Sequence, residues 1–189
     1  MEIEYEAKFL NIDKDEVRAR LKKADAKLQR PEFLQRRWVL DLPSETRTKG
    51  VWLRVRDEGD KITMSWKSQT GTAIDDQKEL TVVVDDFDKA VQFLELLGCP
   101  PESYQETLRE LWILDDAEIT IDTWPFMEPF VEVEAKSETL VKKACEKVGF
   151  SWKDAFFSGV NHVYQRKYGE RVHIRTMPKL TFDMANPFV

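Results

Sequence analysis

Two short stretches of this chain place carboxylates two residues apart. Glu4 and Glu6 lie within Glu2-Ile3-Glu4-Tyr5-Glu6-Ala7-Lys8-Phe9, and Glu132 and Glu134 lie within the stretch from Phe130 to Ala135. Side chains of an extended strand alternate between its two faces. Glu2, Glu4, Glu6 and Lys8 therefore share one face, opposite Ile3, Tyr5, Ala7 and Phe9, and the late pair alternates with Val131, Val133 and Ala135. Carboxylates gathered on one surface repel unless positive charge sits among them, and hard divalent cations prefer oxygen ligands. The chemistry this suggests is metal binding on a shared acidic surface.

Basic residues follow the same alternation. Arg54 and Arg56 share a face with Trp52, and Lys61 and Lys67 share one with Thr63 and Ser65. Glu79 alternates within Gln77 to Val82, Arg109 lies with Thr107 and Leu111, and Glu118, Thr120 and Asp122 oppose Ile119 and Ile121. One wet face of an open antiparallel sheet accounts for any single strand of this kind. The pooled set asks for more, because the planar fork of arginine suits phosphate oxygens. If the sheet closes into a barrel, the charged faces turn inward and line a channel with a basic and an acidic wall. A polyphosphate needs that pairing: cations around its oxygens, and carboxylates holding a metal that bridges it.

The elements that must hold these residues can be read in outline. Asp13 caps a helix expected to run to Gln29, ended by Pro31, and Leu34 to Asp41 reads as a strand. Strands are expected at 51–56, 61–67, 77–84, 104–114, 117–123 and 129–135, with helices at 85–97 and from Ser137 to near Gly149. Residues 154–165 read as helical and 173–189 as a short strand with loop, or an arm. Trp38, Trp66, Trp112 and Trp152 read as packing between sheet and helices, with Trp52 and Trp124 nearer a tunnel mouth.

The composition is that of a globular protein: 189 residues, 42% hydrophobic and 34% charged. A net charge of −6 argues against general nucleic-acid binding. No stretch is apolar enough to span a membrane, and the acidic start is unlike a signal peptide. Cys99 and Cys145, without a CxxC or clustered histidine, read as free thiols of a reducing, cytoplasmic protein and not as a zinc site.

The ordered set of charged residues resembles the CYTH superfamily, the triphosphate tunnel metalloenzymes. Glu4-Tyr5-Glu6-Ala7-Lys8 matches its E-x-E-x-K signature, Arg54-Val55-Arg56 its second motif and Lys67 the next. Glu79, Arg109, Asp122 and Glu132-x-Glu134 follow in the family's order. The resemblance implies an α+β fold, an eight-stranded antiparallel β-barrel forming a tunnel with helices packed outside. It divides the chain into a tunnel domain, residues 1–170, and a C-terminal extension, 171–189. By the same resemblance Glu4, Glu6, Asp122, Glu132 and Glu134 would hold Mg²⁺ or Mn²⁺. Lys8, Arg54, Arg56, Lys67 and Arg109 would grip a triphosphate, and Glu79 would bind a second metal or orient a basic neighbour. Catalysis would fall to Glu4, Glu6, Lys8 and Glu79. Thr107 departs from the pattern, since many members carry Lys or Arg two residues before the Arg109 position; Arg37 and Lys61 are the candidate replacements. Lys167 is a candidate for the family's late basic residue, and Glu2 falls at the tunnel rim.

The family includes inorganic triphosphatases, thiamine triphosphatases and class IV adenylyl cyclases. The expectation is a metal-dependent phosphohydrolase acting on a triphosphate-containing small molecule, as a monomer or homodimer. Two alternatives stay open: a class IV adenylyl cyclase making cyclic AMP and pyrophosphate from ATP, and a non-catalytic module binding polyphosphate or nucleotide. Which triphosphate is bound stays open as well.

Overall fold

The computed structural model describes residues 2–189, with Glu2 by its backbone only, so the rim position expected for the Glu2 side chain lies outside the described residues. The elements in order are β1 (Glu2–Phe9), α1 (Lys14–Lys23), β2 (Lys27–Leu40), β3 (Val51–Asp57), β4 (Ile62–Gln69), β5 (Gln77–Val84), α2 (Phe87–Leu96), β6 (Pro101–Leu114), β7 (Ala117–Thr123), β8 (Phe130–Ala135), α3 (Glu138–Val148), α4 (Val160–Tyr168) and β9 (Lys179–Leu180). The strands run in the order β2-β3-β4-β5-β1-β8-β7-β6, and β2 pairs with β6 to close the ring. Every pairing within the ring is antiparallel. The result is the expected eight-stranded barrel with helices outside, and β9 adds a short parallel pairing to β6.

Closure rests on the longest ladder, from Lys27 opposite Ile113 to Leu40 opposite Pro101. It also explains the main departure from the sequence reading. The helix begins where expected, with Asp13 accepting from the Asp15 and Glu16 amides, but it stops at Lys23 and not at Gln29. Asp25 turns the chain with φ of 63°, a left-handed conformation that Asp tolerates. The residues from Lys27 then join the ladder, leaving Leu28, at helical spacing, exposed. Pro31 sits inside β2, at an irregularity in the register between Arg30 and Phe33, where the missing amide does no harm.

Outward-facing apolar residues make two cores. Ala7 and Phe9 of β1, Ile119 and Ile121 of β7, and Val131 and Val133 of β8 pack against α1 and α3. Leu40, Leu53 and Val55 pack against Phe87, Ala90, Val91 and Leu94 of α2. Both helices are capped as their sequences suggest: Asp86 and Ser137 accept at the N-termini, and Gly98 and Gly149 take left-handed φ values at the C-termini. Trp112 is buried in the first core, Trp152 packs on it, and Trp38 and Trp66 pack on the second.

A third cluster covers one end of the barrel: Trp124, Phe130, Tyr164 of α4, and Ile174 and Leu180 of the tail. Here too the boundaries differ from expectation. Residues 152–154 form a single 3₁₀ turn and α4 starts only at Val160. Phe156 is held extended by exchanging two backbone hydrogen bonds with Lys8, of 3.0 and 2.9 Å, so a helix cannot pass through it. No helix among the described residues is long and apolar enough to cross a membrane.

The tail's packing gives a first test. Ile174 is fully buried in the end cluster, so Ile174→Ala should lower unfolding free energy by about 2–4 kcal/mol in urea titration. A change below ~0.5 kcal/mol would show that the tail does not belong to the folded unit.

Candidate functional site

Closure turns the charged face of every strand inward. A cavity of about 640 Å³ runs through the barrel. Its walls include Glu4, Glu6, Lys8, Arg54, Arg56, Lys67, Glu79, Arg109, Glu132 and Glu134, which brings together ten residues singled out from sequence. Asp122 is not on the wall; it lies fully buried behind Arg109. In the ring β1 and β2 are four strands apart either way round, hence opposite. The acids of β1 and β8 therefore face the arginines of β2 and β3.

Most of these charges are paired with one another. Glu79 receives Arg54 at 2.9 Å and Lys67 at 2.6 Å, and Lys67 also reaches Glu4 at 3.0 Å. Lys8 bridges Glu6 and, at 3.2 Å, Glu132. Arg109 grips Asp122 through two nitrogens, at 2.7 and 2.6 Å, and spans to Glu132 at 2.8 Å. Arg56 meets Glu58 at 2.6 Å. Burial alone would raise Glu79 and Glu132, but the charges of Arg54 and Lys67, and of Lys8 and Arg109, outweigh it and hold both carboxyls far below the usual range. Burial and the neighbouring Glu79 push Glu4 up against the pull of Lys67. Burial and the charge of Arg54 bring Arg56 down to about 10.

Several residues in or behind the wall were not singled out from sequence. Glu58, on the β3–β4 turn, is buried as the partner of Arg56. Gln77 donates to Glu4, a contact its place in the β5 alternation could have signalled. Arg175 reaches the cavity from the tail and lies over the Trp52 ring at 4.3 Å, with Asn161 beside it. Ser103 and Gln105 anchor that stretch by donating to the Ile174 carbonyl at 3.1 and 3.2 Å. Lys167, the late basic candidate, instead binds Glu128 at 2.8 Å and the Phe126 carbonyl outside the cavity. Of the two candidates to replace the contact absent at Thr107, Arg37 lines the cavity, whereas Lys61 is exposed beside Glu58.

A family model of the CYTH domain matches residues 2–156. The chain belongs to the CYTH family. Solved structures show the same fold at low identity. A protein from Vibrio parahaemolyticus, described as a candidate adenylate cyclase, is 17% identical with a TM-score of 0.71, over 87% of this chain and 98% of that one. One from Pyrococcus horikoshii is 18% identical with a TM-score of 0.69, over 84% and 96%. A Hippeastrum candidate adenylyl cyclase, described as having a dominant triphosphatase activity, is 13% identical with a TM-score of 0.57, over 94% and 100%. No curated protein matches the chain. The CYTH match stops at residue 156, so Asn161 and Arg175 are brought to the cavity by sequence beyond it.

The donor set of this CYTH barrel fits a hard divalent cation in kind, since Glu4, Glu6, Glu132 and Glu134 offer only oxygen. Among the described residues no three acidic, histidine or cysteine side chains form a ready cage, and internal cations hold Glu4, Glu6 and Glu132. Glu134 has no cationic partner among the described residues. Desolvation by its surroundings first, and then the charge of Glu4, push it up to about 7, the second cause reporting surplus negative charge on this wall.

That surplus gives a second test. A folded value near 7, above the ordinary 4.5, makes ionised Glu134 destabilising above pH 7, and the cost fades as pH falls through 7 toward 4.5. Water reaches Glu134 through the open mouth, which screens the effect to about 1 kcal/mol. Glu134→Gln should therefore raise Tm by roughly 2–4 °C at pH 8, with the gain shrinking toward zero near pH 5. Identical melting curves at pH 8 would contradict this.

Proposed function

We propose that this protein is a metal-dependent triphosphatase that binds the triphosphate of a small molecule along the barrel axis. One observation carries the reading: a basic wall and an acidic wall face each other across one cavity. Simple anion binding would need no carboxylates on the cavity wall. Bare metal binding would not need the arginines and lysines opposite.

Phosphoryl transfer asks mainly for positioning and charge neutralisation. In this reading Lys8, Arg54, Arg56, Lys67 and Arg109 hold the phosphate oxygens in line. Asp122 and Glu79 keep the guanidiniums of Arg109 and Arg54 aimed before substrate arrives, which is how preorganised charge lowers a barrier. Glu4, Glu6, Glu132 and Glu134 are the residues that would hold Mg²⁺ or Mn²⁺. Such an ion would neutralise phosphate charge and supply an activated water. The incoming triphosphate would take over Lys8 and Lys67 from Glu6 and Glu4, freeing those carboxylates. Triphosphatase activity in the Hippeastrum relative, which shares the fold, accords with this reading.

A second reading has its own observation. A smaller cavity of about 260 Å³ shares Trp52, Asn161 and Arg175 with the tunnel, which leaves room for an organic group beyond the phosphates. With ATP there, attack by the ribose 3′-hydroxyl would make the protein a cyclase.

Both readings meet one experiment. Phosphate release from tripolyphosphate, thiamine triphosphate and ATP should require Mg²⁺ or Mn²⁺. It should fall by a factor of about 100 or more in the Glu4→Gln, Glu6→Gln double variant while the circular dichroism spectrum stays native. Cyclic AMP with pyrophosphate from ATP would establish the cyclase instead, and no metal-dependent turnover would leave a binding module.

A further inference from the structure

Among the tunnel cations carried by the barrel strands, one stands apart from the pairing that governs the rest. Arg37, on β2, is buried to 6% exposure and lines the cavity. Its hydrogen-bond partners are neutral: Nη2 donates to Gln35 Oε1 at 2.9 Å and to Thr107 Oγ1. Its Nε–H has no partner, and neither do those of Arg54 and Arg56 on the neighbouring strand. The guanidinium lies 4.8 Å from the centre of the Trp124 ring. In the β2–β3 ladder Arg37 is directly opposite Arg56, and Arg54 is opposite Val39, two residues on. No carboxylate among the described residues makes an ion pair with Arg37, whereas Lys8, Arg54, Arg56, Lys67 and Arg109 each hold at least one.

A buried guanidinium among other guanidiniums, with no carboxylate in direct contact, is costly to fold. Burial and the charges of Arg56, Arg54 and Arg109 accordingly press its pKa well below the ordinary arginine value. The contacts to Gln35 and Thr107 do not explain the expense, because an uncharged amide could make them, and the cation–π contact with Trp124 offsets only part of it. What Arg37 lacks is a direct anionic contact, which a bound anion would supply. The donor geometry selects its type: two forks side by side on adjacent strands suit the oxygens of a tetrahedral dianion.

We propose that Arg37, paired with Arg56 on the β2–β3 wall, forms a phosphoryl subsite that holds one phosphate of the bound triphosphate opposite the Glu4–Glu6 wall. This deepens the triphosphate reading and rests on it. Arg37 donates from β2 into the space next to Thr107 of β6, so the charge absent at position 107 enters from across the β2–β6 ladder.

The test reads binding without turnover. Inorganic tripolyphosphate is titrated calorimetrically in EDTA into the wild-type protein, Arg37→Gln and Arg37→Lys, with melting curves of each free protein. The expected result is a dissociation constant about tenfold or more weaker for Arg37→Gln, with a free-protein Tm equal to or above that of wild type. Arg37→Lys should lie between, keeping the charge but losing the fork. A merely structural Arg37 would show the opposite pair, a lower Tm with unchanged affinity. If Arg37→Gln is destabilised, Arg37→Lys at native Tm decides: weakened binding supports the subsite, and wild-type affinity overturns it. Wild-type protein that binds tripolyphosphate neither in EDTA nor with Mn²⁺ added would sink the triphosphate reading itself. Wild-type binding matched within twofold by Arg37→Gln would sink only the role of Arg37.

Discussion

The pairing of β2 with β6 imposes the condition that every other part of the molecule meets. Once that ladder closes, the second face of each strand is turned into a cavity, and most of the charged residues at inward positions find a partner there. An uncompensated buried charge costs several kcal/mol, so the interior tolerates its acids and bases only as a connected network. The chains Arg54–Glu79–Lys67–Glu4 and Glu6–Lys8–Glu132–Arg109–Asp122 are that network. Period-two alternation on open strands would place the same residues harmlessly in solvent.

In the proposed reading the network also prepares the cavity for a highly charged ligand. Cations already fixed by carboxylates need little rearrangement when phosphate oxygens arrive, and the electrostatic gain is larger in an enclosed space than in water. The outside of the barrel supports this rigidity. Two apolar cores clamp the strands from opposite sides through α1, α3 and α2, and the end cluster around Tyr164 and Ile174 fixes the late segment that carries Arg175. Arg37 and Glu134 are two places where the internal balance is left open, a cation and a carboxylate without ion-pair partners among the described residues. They sit on walls set by opposite strands, which is where a ligand carrying both phosphate and metal would close the account.

How far the sequence could be read differs from element to element. β1 and β8 were plain because strict alternation leaves no competing pattern. The helix after Asp13 was legible at its start, where a local cap decides, and not at its end. Val17, Leu21, Ala24 and Leu28 keep helical spacing, but the β6 partner that draws Lys27 onward into a ladder is some eighty residues away in the chain. The delayed start of α4 has the same cause, a backbone pairing between Phe156 and Lys8 that no local pattern announces. Lys167 looked like a tunnel residue by order alone, yet helix phase turns it to Glu128, while Arg175 enters from a tail with no strong periodicity.

By itself, the sequence determined which side chains share a face, that the faces are charged, and that their types suit metal and phosphate together. Alternation is a local property of an extended chain and needs no knowledge of what lies across from it. Only the tertiary structure decided which charges neutralise one another. Asp122 became the buried holder of Arg109, Glu79 the brace between Arg54 and Lys67, and Arg37 the cation left without a counter-ion. Those outcomes depend on register across strands distant in sequence, and Coulomb energies at 3 Å in a closed interior are decided by that register alone.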